Sequence, residues 1–177
     1  MAWPTFDVRG VEVLLIKMKV KHSIVINRST EEIFAYMSEL ENLVDWSSVV
    51  IAARKISPGA MHVGATVRST IRFLGRWSDI TFEIVECEPS RDLTIKSISG
   101  VSPCLFYYQF EPVEDGKTNV SQDAVIHLTG EMLGLAEPVI TNAVRRQLEY
   151  DLLTLKDMLE ASAVSSRAET DPSLRSG

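Results

Sequence analysis

Residues 24–46, IVINRSTEEIFAYMSELENLVDW, constrain the fold of this chain more than any other stretch, because they gather its early helices ahead of an unbroken series of strands. They read as a strand, a capped helix and a second short helix, after which strands alone run to Leu128. Ser29 is placed to cap the first helix, with Glu32 three residues on completing a capping box. Ile33, Phe34 and Met37 form the buried side of that helix by i, i+3, i+4 spacing. Leu40, Leu43 and Val44 continue as the second helix, which ends near Trp46 and is broken by Ser47-Ser48. Two early helices, a run of strands and one closing helix describe a sheet wrapped round a helix.

The first strand is expected over residues 20–27. Residues 49–57 form the next, closed by Pro58-Gly59. In residues 66–74, TVRSTIRFL, Val67, Ser69, Ile71 and Phe73 alternate with Arg68, Thr70 and Arg72, the period of a half-buried strand. Gly75-Arg76 reads as a tight two-residue hairpin connection, and Arg68, Arg72 and Arg76 as its solvated polar face. Residues 77–88 carry Ile80, Phe82 and Ile84 on one face, and a turn at 89–92 leads into a strand over 93–99. Residues 103–111 present Cys104, Phe106, Tyr108 and Phe110 on one side. Glu114-Asp115-Gly116 turns the chain into a strand carrying Val120, Gln122, Ala124, Ile126 and Leu128 on one face. Strands with such short turns form an antiparallel meander, not βαβ units.

Pro138 suits the first turn of a helix whose apolar stripe is Ile140, Val144, Leu148, Leu152, Leu155 and Leu159. Residues 162–177 have little to bury and read as a disordered tail. Residues 1–17 read as an extension outside the minimal fold; the apolar run 11–16 is too short and too charged for a signal peptide or a membrane span. One domain over residues 18–161 remains, which suits a chain of 177 residues.

A net charge of −6 argues against nucleic acid or an anionic membrane as a partner. The two cysteines, Cys87 and Cys104, read as small buried hydrophobes, which fits a reducing cytoplasm. His22, His62 and His127 are scattered, and neither GxGxxG nor GxxxxGK[ST] occurs, so no metal and no cofactor is expected.

The order of elements, with NRSTEEIFAYMSELENLVDW, GATVRSTIRFLGRW, FEIVECEPSRDL, YYQFEPVEDGKTNV and the closing LxxLKDMLE, resembles the polyketide cyclase/dehydrase-like branch of the START/SRPBCC superfamily. The resemblance covers residues 18–161 and lies in the order of the segments, none of which is a catalytic signature. It implies an α+β helix-grip fold, in which a curved antiparallel sheet wraps round a long C-terminal helix and leaves an internal hydrophobic cavity.

A curved sheet gripping one helix leaves a gap that its inner side chains cannot all fill. The candidate lining is Phe34, Trp46, Val67, Ile71, Phe73, Ile80, Phe82, Ile84, Phe106, Tyr108, Ile140 and Val144, with ordinary core packing as the alternative for each. Tyr108 and Gln122 are the best polar candidates, since both share apolar faces of neighbouring strands; a buried hydrogen-bonded pair is the equal alternative. Asp123 and His127 lie roughly 13 Å apart on a straight strand and oppose the apolar set, so they make no dyad. Ser69 points inward without a histidine placed to activate it. In residues 131–137, EMLGLAE, Leu133 and Leu135 with Gly134 suggest a cover over one mouth of the cavity.

The expected function is binding of a small or medium-sized hydrophobic ligand: a lipid, a polyketide-like molecule or an aromatic metabolite. A cyclase or dehydratase acting on such a ligand is the second reading, held back by the lack of an inward His, Asp or Glu. An interaction protein with an incidental cavity is the third.

Overall fold

The computed structural model describes residues 16–100, 102–128 and 137–170. Among these, seven strands form one antiparallel sheet: β1 (Ile16–Ile26), β2 (Val50–Lys55), β3 (Thr66–Phe73), β4 (Arg76–Glu88), β5 (Asp92–Ser99), β6 (Cys104–Val113) and β7 (Lys117–Leu128). The spatial order is β1-β7-β6-β5-β4-β3-β2, so β2 to β7 form a plain meander and β1 pairs with its last strand. Helix α1 (Thr30–Ser38), a 3₁₀ turn (Leu40–Asn42) and α2 (Leu43–Trp46) link β1 to β2; α3 (Glu137–Thr170) comes after the sheet. The curved, unclosed sheet and the long terminal helix make a helix-grip fold.

Strand β1 starts at Ile16, ahead of the expected Val20, and pairs without interruption from Ile16↔Leu128 to Ile26↔Thr118. Met18 and Val20 are buried while Lys17, Lys19 and Lys21 face out, so the lysines mark the solvent side of a strand rather than its absence. Register shifts leave Ile51 of β2, Val85 of β4 and Ile98 of β5 as extra residues in their ladders, irregularities of the kind that bend a sheet.

The β3–β4 hairpin differs from the sequence reading by one residue. Phe73 pairs with Arg76, so the two-residue loop is Leu74-Gly75, not Gly75-Arg76. Both loop residues have positive φ, 48° and 78°, as a type I′ connection requires. Because side-chain direction alternates, this shift moves Arg76 from the solvent face to the concave face, beside Ser78, Ile80 and Phe82.

The capping box is present: Ser29 Oγ accepts from the Glu32 amide at 3.3 Å, and Glu32 Oε2 accepts from the Ser29 amide at 3.1 Å. Ser29→Ala is expected to lower the unfolding free energy by about 1 kcal/mol, read as a lower urea midpoint at unchanged slope.

Helix α3 buries its whole stripe, with Ile140, Val144, Leu148, Leu152, Leu155 and Leu159 all under one-tenth exposed. It splits its packing between two clusters. Ile140, Val144 and Leu148 meet Met18, Val20 and Ala124, whereas Leu152, Leu155 and Leu159 join the larger core with Ile33, Leu40 and Trp46. The Asn27 amide donates to Glu160 Oε1 at 2.8 Å and Arg28 donates to the Leu159 carbonyl, fixing the helix to the β1–α1 corner. The helix runs on to Thr170, past the expected boundary at residue 162. Residues 163–170 include Ala, Arg and Glu, good helix formers, and Pro172 is the next residue that opposes a helix.

Candidate functional site

The two clusters along α3 leave a cavity of about 420 Å³ between that helix and the concave face of the sheet. Its sheet wall is Ile71 and Phe73 of β3, Arg76 to Ser78, Ile80 and Phe82 of β4, Ile95 of β5, Cys104, Phe106 and Tyr108 of β6, and Gln122 and Ile126 of β7. Val144, Gln147, Leu148 and Asp151 form the helix wall, and Leu43, Trp46, Ser47, Val49 and Val50 close the side at the α2–β2 corner. Aromatic edges set much of the surface: Trp46 stands edge-on to Tyr108 at 6.5 Å and Phe82 to Phe106 at 6.3 Å between ring centroids.

Nine of the residues singled out in the sequence meet in this wall: Trp46, Ile71, Phe73, Ile80, Phe82, Phe106, Tyr108, Gln122 and Val144. Four others do not reach it. Phe34 packs edge-on against Phe110 at 5.6 Å. Val67 and Ile84 are fully buried in the larger core, where the α1–α2 segment fills the space over the sheet. Ile140 packs on Met18, Val20 and Ala124 where α3 meets β1. Leu133 and Leu135, with the rest of the suggested cover, lie outside the described residues.

Tyr108 and Gln122 are cross-strand partners, and Gln122 Nε2 donates to the Tyr108 hydroxyl at 2.9 Å. Both are buried, at 3% and 2% exposure. Burial pushes the Tyr108 pKa well up; the Gln122 amide opposes this, and the Asp151 charge adds to it. The phenol therefore stays neutral at physiological pH. Among the described residues, no group accepts the Tyr108 proton and none donates to Gln122 Oε1.

Asp151 is the functional candidate missing from the sequence reading. It is 2% exposed and lines the cavity. Its Oδ1 accepts from the Ser48 amide at 2.8 Å, and its Oδ2 accepts from Ser47 Oγ at 3.1 Å and Gln147 Nε2 at 2.9 Å. The signal was present in sequence: Asp151 lies three residues after Leu148 and four before Leu155, on the apolar stripe itself. The expectation of no inward acid is thereby corrected.

Other polar residues fall outside the wall. Ser69 is fully buried with no partner for Oγ among the described residues. Asp123 bridges Lys21 at 2.8 Å on the outer face. His22 stands across from Gln122 on β1, with Nε2 buried and lacking a partner among the described residues, but does not line the cavity. Burial pushes the Cys104 thiol up to about 12, so it is a packing residue of the wall. No group of three His, Cys, Asp or Glu among the described residues could hold a metal ion. No described helix is long and apolar enough to cross a membrane.

Comparison with known proteins places this architecture. A START superfamily protein from Mycobacterium smegmatis superposes with a TM-score of 0.69 at 13% identity, over 81% of this chain and 97% of its own. The Zhui aromatase/cyclase from Streptomyces sp. R1128 does so at 0.66 and 13%, over 82% and 94%. Truncated norcoclaurine synthase from Thalictrum flavum gives 0.60 and 14%, over 86% and 98%. At such identities the likeness shows the fold alone. No curated protein sequence matches the chain. The family model for polyketide cyclase / dehydrase and lipid transport proteins matches residues 17–160, and the chain belongs to that family.

Proposed function

We propose that the protein binds a small or medium-sized apolar molecule, of lipid, polyketide-like or aromatic kind, between α3 and the concave face of the sheet. The observation that carries this is the cavity. Protein interiors ordinarily close to crystal-like density, yet here about 420 Å³ stays open behind an aromatic and aliphatic wall. That volume lies within the range of small-molecule sites. Burial of ligand surface, at about 25 cal/mol per Å² before ordering costs, supplies the affinity. Trp46, Tyr108 and Gln122 orient the ligand. Family membership supports the same reading.

Native mass spectrometry of the purified protein, with extraction of co-purifying small molecules, tests it. Val144 is 3% exposed and sits in the helix wall, so Val144→Trp directs an indole into the open space. The variant is expected to weaken binding of dodecanoic acid by at least about tenfold, through loss of apolar burial. Failure of the wild-type protein to bind any member of a lipid and aromatic panel would sink the proposal.

A cyclase or dehydratase acting on such a ligand is the second reading, favoured by the presence of Tyr108 and Asp151 in the lining of one cavity. It ranks second because the Asp151 oxygens are engaged by Ser47, Ser48 and Gln147. The described lining also contains no histidine or lysine to complete an acid–base pair.

A further inference from the structure

Taking the cavity to be a ligand site, we infer that its ligand is an amphipathic anion with a hydroxyl group at its buried end and its charge at the rim. Two features at opposite ends of the cavity carry this.

The buried end is built to hold a hydroxyl. Gln122 spends its Nε2 on Tyr108, which leaves Oε1 as a buried acceptor without a donor among the described residues. The Tyr108 hydroxyl accepts that bond and keeps its own proton to give. One acceptor and one donor side by side match a group that both donates and accepts, as an alcohol or phenol does. A carbonyl or ether would leave Oε1 unserved, and an unserved buried acceptor is costly. The Asp151 carboxylate, on the helix wall but near enough to Tyr108 for its charge to act there, repels a negative group at this end.

The rim carries the opposite charge. Arg76 is the one cation among the described lining residues, as Asp151 is the one carboxylate. Its pairing with Phe73 places it on the concave face, at the exposed end of the hairpin, and none of the described ion pairs engages it. The cavity is thus negative inside and positive at its opening, which fixes which way round an amphipathic anion enters.

Calorimetric titration of the wild-type protein with 12-hydroxydodecanoic acid, 12-methoxydodecanoic acid and methyl 12-hydroxydodecanoate tests this, with dodecanoic acid as reference. The hydroxy acid is expected to bind about tenfold more tightly than the methoxy acid, which keeps the acceptor but lacks the donor. Gln122→Met should close that gap. The methyl ester should bind about threefold more weakly than the hydroxy acid at low salt, a difference that shrinks with added salt and in Arg76→Gln. Equal affinity for the hydroxy and methoxy acids would overturn the inference and assign Gln122 Oε1 to its neighbour His22. An ester that binds as well as the acid at low salt would overturn its anionic part. In both cases, binding of dodecanoic acid leaves the cavity-binding proposal standing. Absence of binding by all four compounds would overturn the inference, while the cavity-binding proposal is decided by the full lipid and aromatic panel.

Discussion

Replacing Asp151 with alanine is expected to lower the unfolding free energy by about 3 kcal/mol and the melting temperature by roughly 6–12 °C. The carboxylate joins the α2–β2 corner to the long helix through the Ser48 amide, the Ser47 hydroxyl and the Gln147 side chain. Asp151 is 2% exposed, whereas Ser47 and Gln147 are half-buried and Ser48 exposed, so alanine removes three charge-assisted hydrogen bonds whose donors water can only partly serve. Asp151→Asn keeps an oxygen for the Ser48 amide and is expected to lose only about 1 kcal/mol. Urea titration of both variants separates the cases. An alanine variant as stable as the wild type would show that the corner is held by apolar packing alone. The same hydrogen bonds explain why a buried acid in the wall does not by itself make a catalyst: its lone pairs are already directed at the protein.

The outline of this molecule was legible because its signals are local and mutually consistent. The Ser29–Glu32 box, the Glu114–Gly116 turn and the stripe from Ile140 to Leu159 each name one element and one face. The Tyr108–Gln122 pair was also within reach. Each residue lies on the apolar parity of its own strand, and the short turn between the strands places them opposite each other. Depth was not legible. Parity says which face a side chain takes but not where along the strand the sheet closes on the helix, so Val67 and Ile84 could not be told from Ile80 and Phe82. Arg76 was lost for a different reason: it was assigned to the turn, whereas as the first residue of β4 it takes the parity of Ile80 and Phe82. Asp151 was hidden by its own chemistry. A lone acid in a helix reads as a solvated residue unless its position on the stripe is weighed above its charge.

Trp46→Ala is expected to cost about 3 kcal/mol, at the lower end for removal of a buried aromatic side chain. Trp46 is 4% exposed and packs in the larger core, with its ring edge-on to Tyr108. Yet part of its surface borders the cavity, where no protein atoms are lost as neighbours when the indole is removed. That asymmetry keeps the cost below the maximum for a fully enclosed tryptophan. Trp46→Phe retains an aromatic edge against Tyr108 and should cost about half as much. The two variants also separate packing from recognition. If Trp46 shapes the site, alanine weakens dodecanoic acid binding by more than its stability loss can account for, measured at a temperature where both proteins are fully folded. Unchanged affinity in the alanine variant would confine Trp46 to the core. Trp46 is buried and Trp77 is 60% exposed, so the blue-shifted emission lost in the alanine variant belongs to Trp46, one of the two described indoles that border the cavity. A ligand that enters the cavity must therefore perturb this component, and one that binds elsewhere on the surface must leave it unchanged.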